Sequence, residues 1–555
     1  MKKCTYALLL LFAFDIFGIA TALAQIPAFP EAQGFGALQT SGGRGGQVIY
    51  VTNLNCTGAG SLNAALATPG SKYILFKVSG IIDCAAEILY GDCYIAGQTS
   101  PGGIIVRGIV ADDWYEPEGS ARNFIIRHLS SRPNTAGVRP GTGWILDDAL
   151  RLDAAHRVVI DHCSFANATD EAVQISRSSN ITIQNSMLAE TLGDHYPLGG
   201  MLMNYSVSNH RLDSITIHHC LWNRIGGRMP EMSCEISAEA PADQDCLLNP
   251  QRTELSNNLF WDMPIQIWYS PGMSPSNPDS PDHKVRMNFV NNHTVARNSY
   301  GGPMFNHNFL DVSGNQIFAG GNTFNLYPTL SDYGLFYCCN DFNLYHPNTD
   351  LGVATLLPTR LNYPSISYTP TSQLVNYLAC NVGAFNNHSP ERRNQMDRRL
   401  LQPLVSGIIA TNPVNGIDFY NDAFLLDFSS PPTAPLDTDN DGMPDVWETA
   451  NGLNLSVADH NGTNLSVALT GLAGYTNLEC YLNQLANAIS GAAPVISGTA
   501  TACINGYFTY STPPIAGATY LWTVISGVII SGQGTPVIQV QWSGSGTGNV
   551  SVTVL

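Results

Sequence analysis

Five stretches of the chain, FIIRHLS, VVIDHCSF, ITIQNSML, ITIHHCLW and ELSNNLFW, repeat one pattern: alternating β-branched positions, then a His or Asn, a small residue and an apolar pair. Aligned on His128, His162, Asn185, His219 and Asn257, they stand 34, 23, 34 and 38 residues apart. A strand repeat of 23 residues fits one coil of a parallel β-helix, and the longer spacings fit a coil with a loop inserted. In such a solenoid each coil buries its inward side chains against the next, about 4.8 Å away. Cys163 and Cys220 then share a column with Ser186 between them, roughly 9.6 Å apart and out of disulfide reach, so both are expected as buried thiols. The same column logic reads His162, His219 and Asn257 as internal ladder residues bonded along the stack.

Composition agrees with a loop-rich β protein: 44% of the 555 residues are apolar and 12% charged, with 51 Gly and 33 Pro. The first 24 residues have a basic start, an apolar run and Ala22-Leu23-Ala24, which reads as a secretory signal cleaved before Gln25. No later run is long enough to span a membrane, so the mature chain is expected to be exported, soluble and monomeric. Export permits disulfides, and Cys84 with Cys93 and Cys234 with Cys246 bracket short loops and are the expected pairs. The formal charge of −18 argues against nucleic acid and anionic membranes as partners.

Two acid pairs need a separate explanation. Asp147 and Asp148 precede ALRL, and Asp170 and Glu171 precede AVQI. Both pairs sit just before a strand, about one coil apart, so their carboxylates can converge on one face. Hard oxygen ligands gathered in this way suit calcium, whereas Asp is also at home in solvated turns. Spacing alone leaves the two readings level.

The order of motifs, from AFPEAQGFGALQTSGGRGGQVIYVTNLNCTGAGSLNAAL through DDALRLD, VVIDHCSF and TDEAVQIS to ITIHHCLWNRIGGRMP, resembles the pectate lyase superfamily of polysaccharide lyases. The later NVGAFNNHSPERRNQMDRRLLQPLVSG resembles the segment that closes the lyase domain in bacterial members, so the match covers roughly residues 26 to 428. The resemblance implies a right-handed parallel β-helix and cleavage of pectate by calcium-assisted β-elimination. It implies calcium ligation by Asp148, with Asp147 beside it, and by Asp170. Family members often add an acid four residues to either side of that last position, where this chain has Ala166 and Gln174. Glu171 or the Gln174 amide oxygen is the expected replacement.

The Arg of R-x-P takes the proton in the family, which implies Arg228 here. Two further arginines follow it in many relatives, where this chain has Glu231 and Ser233. The customary Lys is missing too, and His195 in GDHYPLGGM is the nearest candidate for its role. A guanidinium keeps its protons in ordinary surroundings. The calcium ion and the cation of Arg224, four residues earlier at the substrate-binding side, are the groups expected to disfavour the charged form. The chemistry demands such a site, because the C5 proton of a uronate is weakly acidic until its carboxylate is neutralised.

Beyond Pro431 the composition shifts. PPTAP is a linker, and DTDNDGMPDVWE carries acids at Asp437, Asp439, Asp441, Asp445 and Glu448 with Gly442 at the sixth position, the spacing of an EF-hand calcium loop. Residues 431–492 therefore read as a calcium-holding helical connector. Residues 493–555 alternate in short strands separated by Gly/Pro turns and read as an immunoglobulin-like β-sandwich resembling PKD repeats, with Trp522 and Cys503 in its core. The strand pattern runs to Leu555, so the natural sequence is expected to continue. Two other functions stay open at this stage: a pectin hydrolase on the same solenoid using Asp147, Asp148 and Asp170 as acid and base, and a non-catalytic glycan-binding solenoid.

Overall fold

The computed structural model describes residues 25–409 and 430–554, apart from 115–120, 134–147, 193–198, 226, 236–242, 244, 263–267, 274–283, 297–304, 307–311, 339–342, 345–353, 387–391, 490–495, 500–501, 504, 513–519 and 544–547. Three parallel sheets of eleven, seven and nine strands run the length of the solenoid. The first runs from Gln47–Val51 to Thr355–Leu356, the second from Ala86–Glu87 to Trp268–Met273, and the third from Gly80–Ile82 to Thr323–Phe324. The chain visits each sheet once per coil, which is a parallel β-helix.

The register is the one the repeat predicts. Phe124 pairs with Val158, Val158 with Ile181 and Ile181 with Ile215. Two residues on, Ile126, Ile160, Ile183, Ile217, Leu255 and Phe289 form a second buried apolar row. The corner after each strand is turned by a residue with positive φ: His128, His162, Asn185, His219, Asn257 and Asn291 lie between 48° and 56°. Asn tolerates this left-handed geometry because its short polar side chain bonds locally.

That corner corrects the expected ladder by one residue. The inward polar ladder is built by Asn258, Asn292 and Asn322: the Asn258 backbone N–H donates to Asn292 Oδ1 at 2.8 Å, and that of Asn292 to Asn322 Oδ1 at 3.0 Å. The corner histidines face outward and are roofed by the segment near 366–386. His219 Nε2 meets Thr369 Oγ1 at 3.0 Å, and the stacked rings of His128 and His162 lie against Phe385. Cys163, Ser186 and Cys220 do share the predicted inward column, and burial pushes both thiols up to about 12.

The outer faces of two sheets are covered. Helices Thr371–Asn381 and Gln395–Ser406 pack Leu374, Leu378, Leu400 and Leu404 on the third sheet. The first sheet carries the N-terminal EAQGFG segment, where a Cβ at Gly36 would lie 2.4 Å from the Val158 carbonyl oxygen, so only glycine lets the two backbones approach. The connector covers the same sheet: Met443, Leu478 and Leu482 pack with Tyr73, Leu75, Tyr94 and Val159. Neither cluster covers the outer face of the second sheet, which is where the acids lie.

Cys84 bonds Cys56, not Cys93. Cys93 opens the strand Cys93–Ala96 and is a fully buried free thiol in the solenoid core. The side chains of Cys234 and Cys246 lie outside the described residues. In the C-terminal module, sheets of three and two antiparallel strands enclose Tyr510, Trp522, Val540 and Trp542. Cys503 is exposed instead of core, because it belongs to the turn whose carbonyl accepts from Gly506. Among the described residues no helix is long and apolar enough to cross a membrane.

Candidate active site

The turn from the third sheet into the second recurs in each coil, and four successive turns carry the site. Asp148 precedes the strand Leu150–Asp153, Asp170 and Glu171 precede Val173–Ser176, Gly199 and Gly200 precede Met201–Asn204, and Arg228 precedes Glu231–Glu235. Backbone bonds tie them in a row: Ala149 N–H to Glu171 O at 3.1 Å, Ala172 N–H to Gly199 O at 3.1 Å, and Gly200 N–H to Gly227 O at 2.9 Å.

Asp148, Asp170 and Glu171 each present a carboxylate oxygen within 4.8 Å of the others. Asp148 is buried and accepts from the Glu171 backbone N–H at 3.1 Å, while Asp170 is half-exposed at the groove. Glu171 is fully buried, and among the described residues its Oε2 has no hydrogen-bond partner. A buried carboxylate oxygen left unpaired is costly, and it is the kind of atom a cation satisfies. These three residues therefore fit a hard divalent ion such as calcium.

Arg228, with φ of 50°, reaches back across Gly199. Its Nη1 bonds Glu171 Oε1 and lies 3.8 Å from Asp170 Oδ1, and its Nε donates to Glu231 Oε2 at 2.9 Å. Gly199 makes this reach possible: a Cβ there would lie 2.9 Å from Glu171 Cγ and 3.0 Å from Arg228 Cβ. Glu231 and Gly199 were missed as site residues. The GG before Met201, at the turn position where neighbouring coils carry acids, was the available signal.

Other expected residues are placed elsewhere. Gln174 lies on the outer face in register with Arg151, whose Nη1 donates to Gln174 Oε1 at 2.9 Å, so that amide oxygen is engaged by a cation. Arg151 also approaches Asp148 Oδ2 at 3.5 Å and Asp153 Oδ2 at 3.3 Å. Arg224 pairs with Glu190 at 3.0 Å and Asp262 at 3.6 Å, and Glu190 is gripped in turn by Arg399 of the covering helix. The structure thus ties Arg224 into a corner ladder and does not bring it to the acids. Asp147 and His195 lie outside the described residues.

The connector gathers a second acidic set. Oxygens of Asp437, Asp439 and Asp441 converge within 4.8 Å. Glu448 is fully buried, and among the described residues both its oxygens and Asp439 Oδ2 lack hydrogen-bond partners, which fits a calcium-type loop. Burial first, then the neighbouring carboxylates, push Glu448 up to about 7 and Asp441 to about 6. Asp445 turns away and accepts from the Thr438 N–H and hydroxyl at 2.8 and 2.7 Å, closing the loop. Gly442, with φ of 100°, has Leu75 of the solenoid where a Cβ would come within 2.8 Å.

Known proteins bear on both parts of the chain. Residues 490–555 match the model of the PKD-like domain. A "Probable pectate lyase C" of Aspergillus terreus is 28% identical over 476 residues, covering 85% of this chain and 97% of that protein. A protein of the same name from Aspergillus fumigatus is 29% identical over 476 residues, covering 84% of this chain and 95% of its own length. A stretch covering 85% of 555 residues must include the acidic loop at 437–448, so the likeness extends past residue 428. Among solved structures, a thermostable pectate lyase, PL 47, overlaps 65% of this chain and 99% of its own at 13% identity and a TM-score of 0.41. A pectate lyase bound to hexasaccharide overlaps 65% of this chain and 99% of its own at 13% identity and a TM-score of 0.37. The long stretch shared with these fungal proteins makes this chain similar, over most of its length, to proteins named as probable pectate lyases, and its residues 490–555 match a PKD-like domain.

Proposed function

We propose that the chain is a secreted, calcium-dependent lyase that cleaves pectate by β-elimination. The observation that carries this reading is the meeting of Asp148, Asp170 and Glu171 at one point under Arg228, with a buried Glu171 oxygen left unpaired. Asp148, Asp170 and Glu171 would hold the ion, which supplies positive charge against the uronate carboxylate. It also lets a chain of formal charge −18 hold an acidic polymer.

Arg228 stands beside this cluster as the group that would receive the C5 proton, which it can do only as the neutral guanidine, after one of its own protons has passed to water. The electron pair left at C5 forms the double bond to C4, the C4–O bond breaks, and the departing oxygen takes a proton from water. Glu231 fixes the guanidinium from its Nε side, and the Arg228 side chain stays partly exposed. An arginine among the acids favours elimination over the hydrolase reading, which needs an acid and a base facing each other across the bond and no guanidinium. The names borne by the fungal relatives favour it over a purely glycan-binding solenoid.

The test is absorbance of the unsaturated uronide formed on polygalacturonate, with calcium and with a chelator. Product formation that calcium supports and chelation stops is the expected result. Release of saturated, reducing products in its place would overturn the reading.

A further inference from the structure

Glu171 is claimed from two sides. It is fully buried, one of its oxygens bonds Arg228 Nη1, the other has no partner among the described residues, and its carboxylate belongs to the cluster with Asp148 and Asp170. A carboxylate has room for both a guanidinium and a metal only if the two cations share it, and two positive groups on one buried carboxylate repel. Arg228, moreover, is held at two of its three nitrogens, by Glu171 and Asp170 at Nη1 and by Glu231 at Nε.

We propose that Glu171 alternates between two partners, holding Arg228 when the acids are without metal and turning to the ion when one binds beside Asp148 and Asp170, so that metal binding releases the guanidinium towards the groove. The proposal rests on the calcium-lyase reading above and adds the coupling to it. Glu171 is a positioning residue in this scheme. Its place makes the coupling specific: Gly199 leaves the space between Glu171 and Arg228 empty, so the pair meets directly, with no side chain from the intervening coil between them. Glu231 is the guanidinium's other anchor, and it keeps Arg228 at the site after Glu171 has turned away.

The consequence is a thermodynamic linkage. If Arg228 competes with calcium for Glu171, removing the guanidinium tightens calcium binding, but only while Glu171 is present. Plain repulsion between two cations would tighten it equally with or without Glu171. The experiment is calorimetric titration of the full chain with calcium chloride, without substrate, on the parent, Arg228→Gln, Glu171→Gln and the double variant. The binding step followed is the one that Asp148→Ala abolishes, which separates it from the connector.

Arg228→Gln is expected to tighten that step by about tenfold, the scale of one lost hydrogen-bonded charge pair, and the double variant to match Glu171→Gln alone. Equal tightening in both backgrounds, or no tightening in either, overturns the sharing of Glu171. Absence of any step removed by Asp148→Ala would instead overturn the calcium-lyase reading itself. Because Arg228→Gln leaves a buried carboxylate unpaired, Arg228→Met and the calcium-induced rise in melting temperature serve as second variant and second readout. The rise is expected to exceed that of the parent, and a rise no larger counts against the proposal.

Discussion

The Tyr73 hydroxyl, on the second strand of the first sheet, bonds the Thr476 hydroxyl of the connector at 3.0 Å, both groups buried. Around it the connector is stitched to the first coils: Arg44 bonds Glu479 at 2.9 Å, Lys77 Nζ donates to Asn440 Oδ1 at 3.1 Å, and the Tyr50 hydroxyl bonds Asp437 within the acidic loop. The loop is thus packed on the solenoid and not hung from a tether. Chelation, or Glu448→Gln, is expected to lower the melting temperature and to raise hydrogen exchange in strands 47–51 and 72–76 together with residues 437–489. Exchange that rises in the connector alone would mean the contacts carry no coupling.

The metal-free connector should also be sensitive to pH. Burial and crowding by Asp439, Asp441 and Asp437 hold Glu448 near 7, well above its ordinary value of 4.5, and Asp441 is raised to about 6. A carboxyl whose folded value is raised stabilises the fold fully below its unfolded value, and that contribution is lost as pH rises through the folded one. With chelator present, the melting temperature of the connector transition is expected to fall between pH 4.5 and pH 7. Saturating calcium should flatten or reverse the trend, and Glu448→Gln, which removes one of the two raised groups, should shrink it. A metal-free profile that climbs over this window would contradict the assignment.

Along the solenoid, Asn292 makes four ladder bonds: its Oδ1 accepts from the Asn258 backbone and side chain at 2.8 and 3.1 Å, and its Nδ2 donates to Leu255 O and Asn322 Oδ1 at 3.0 Å. Asn292→Ala leaves buried partners unsatisfied and is expected to cost about 3 kcal/mol. Denaturant unfolding checks the value. Asn292 follows a strand of the first sheet whereas the site acids precede strands of the second, so the remaining folded enzyme should turn over normally.

How far the sequence could be read follows from which signals are periodic. The coil spacing that aligned His162 with His219 is set by the strand register, so it was legible and right to the residue. What the histidines do was not, because the left-handed corner at φ near 52° turns the side chain out and hands the inward ladder to the next residue. The convergence of the acids at 148, 170 and 171 was legible from their place before strands. Arg224 was misplaced because spacing along a turn says nothing of which side chains across the corner, here Glu190 and Asp262, will claim it. Cys56–Cys84 escaped for the same reason: sequence nearness favoured Cys93, and the strand pulled that residue into the core.

Arg228→Lys is expected to remove nearly all turnover while leaving the fold intact. The guanidinium spans Glu171 from one nitrogen and Glu231 from another, a fork that a single ammonium cannot reproduce. Unsaturated-uronide formation and a circular dichroism melt on the same sample check both halves. Near-normal turnover would show that Arg228 is a structural ion pair.

Gly199→Ala tests the row itself. The added methyl would stand 2.9 Å from Glu171 Cγ and 3.0 Å from Arg228 Cδ, so one of the two side chains must move, whereas the backbone bonds of Gly199 to its neighbouring coils need not. A displacement of about 1 Å in a positioned catalytic group costs on the order of a hundredfold in rate. The expected outcome is therefore a fall in kcat of about that size, with the melting temperature in calcium little changed. Because the methyl crowds Glu171, which is proposed above to hold calcium, the calcium concentration giving half-maximal rate should shift as well. A variant that keeps its kcat would mean that Arg228 does not need to lie across Gly199 to act.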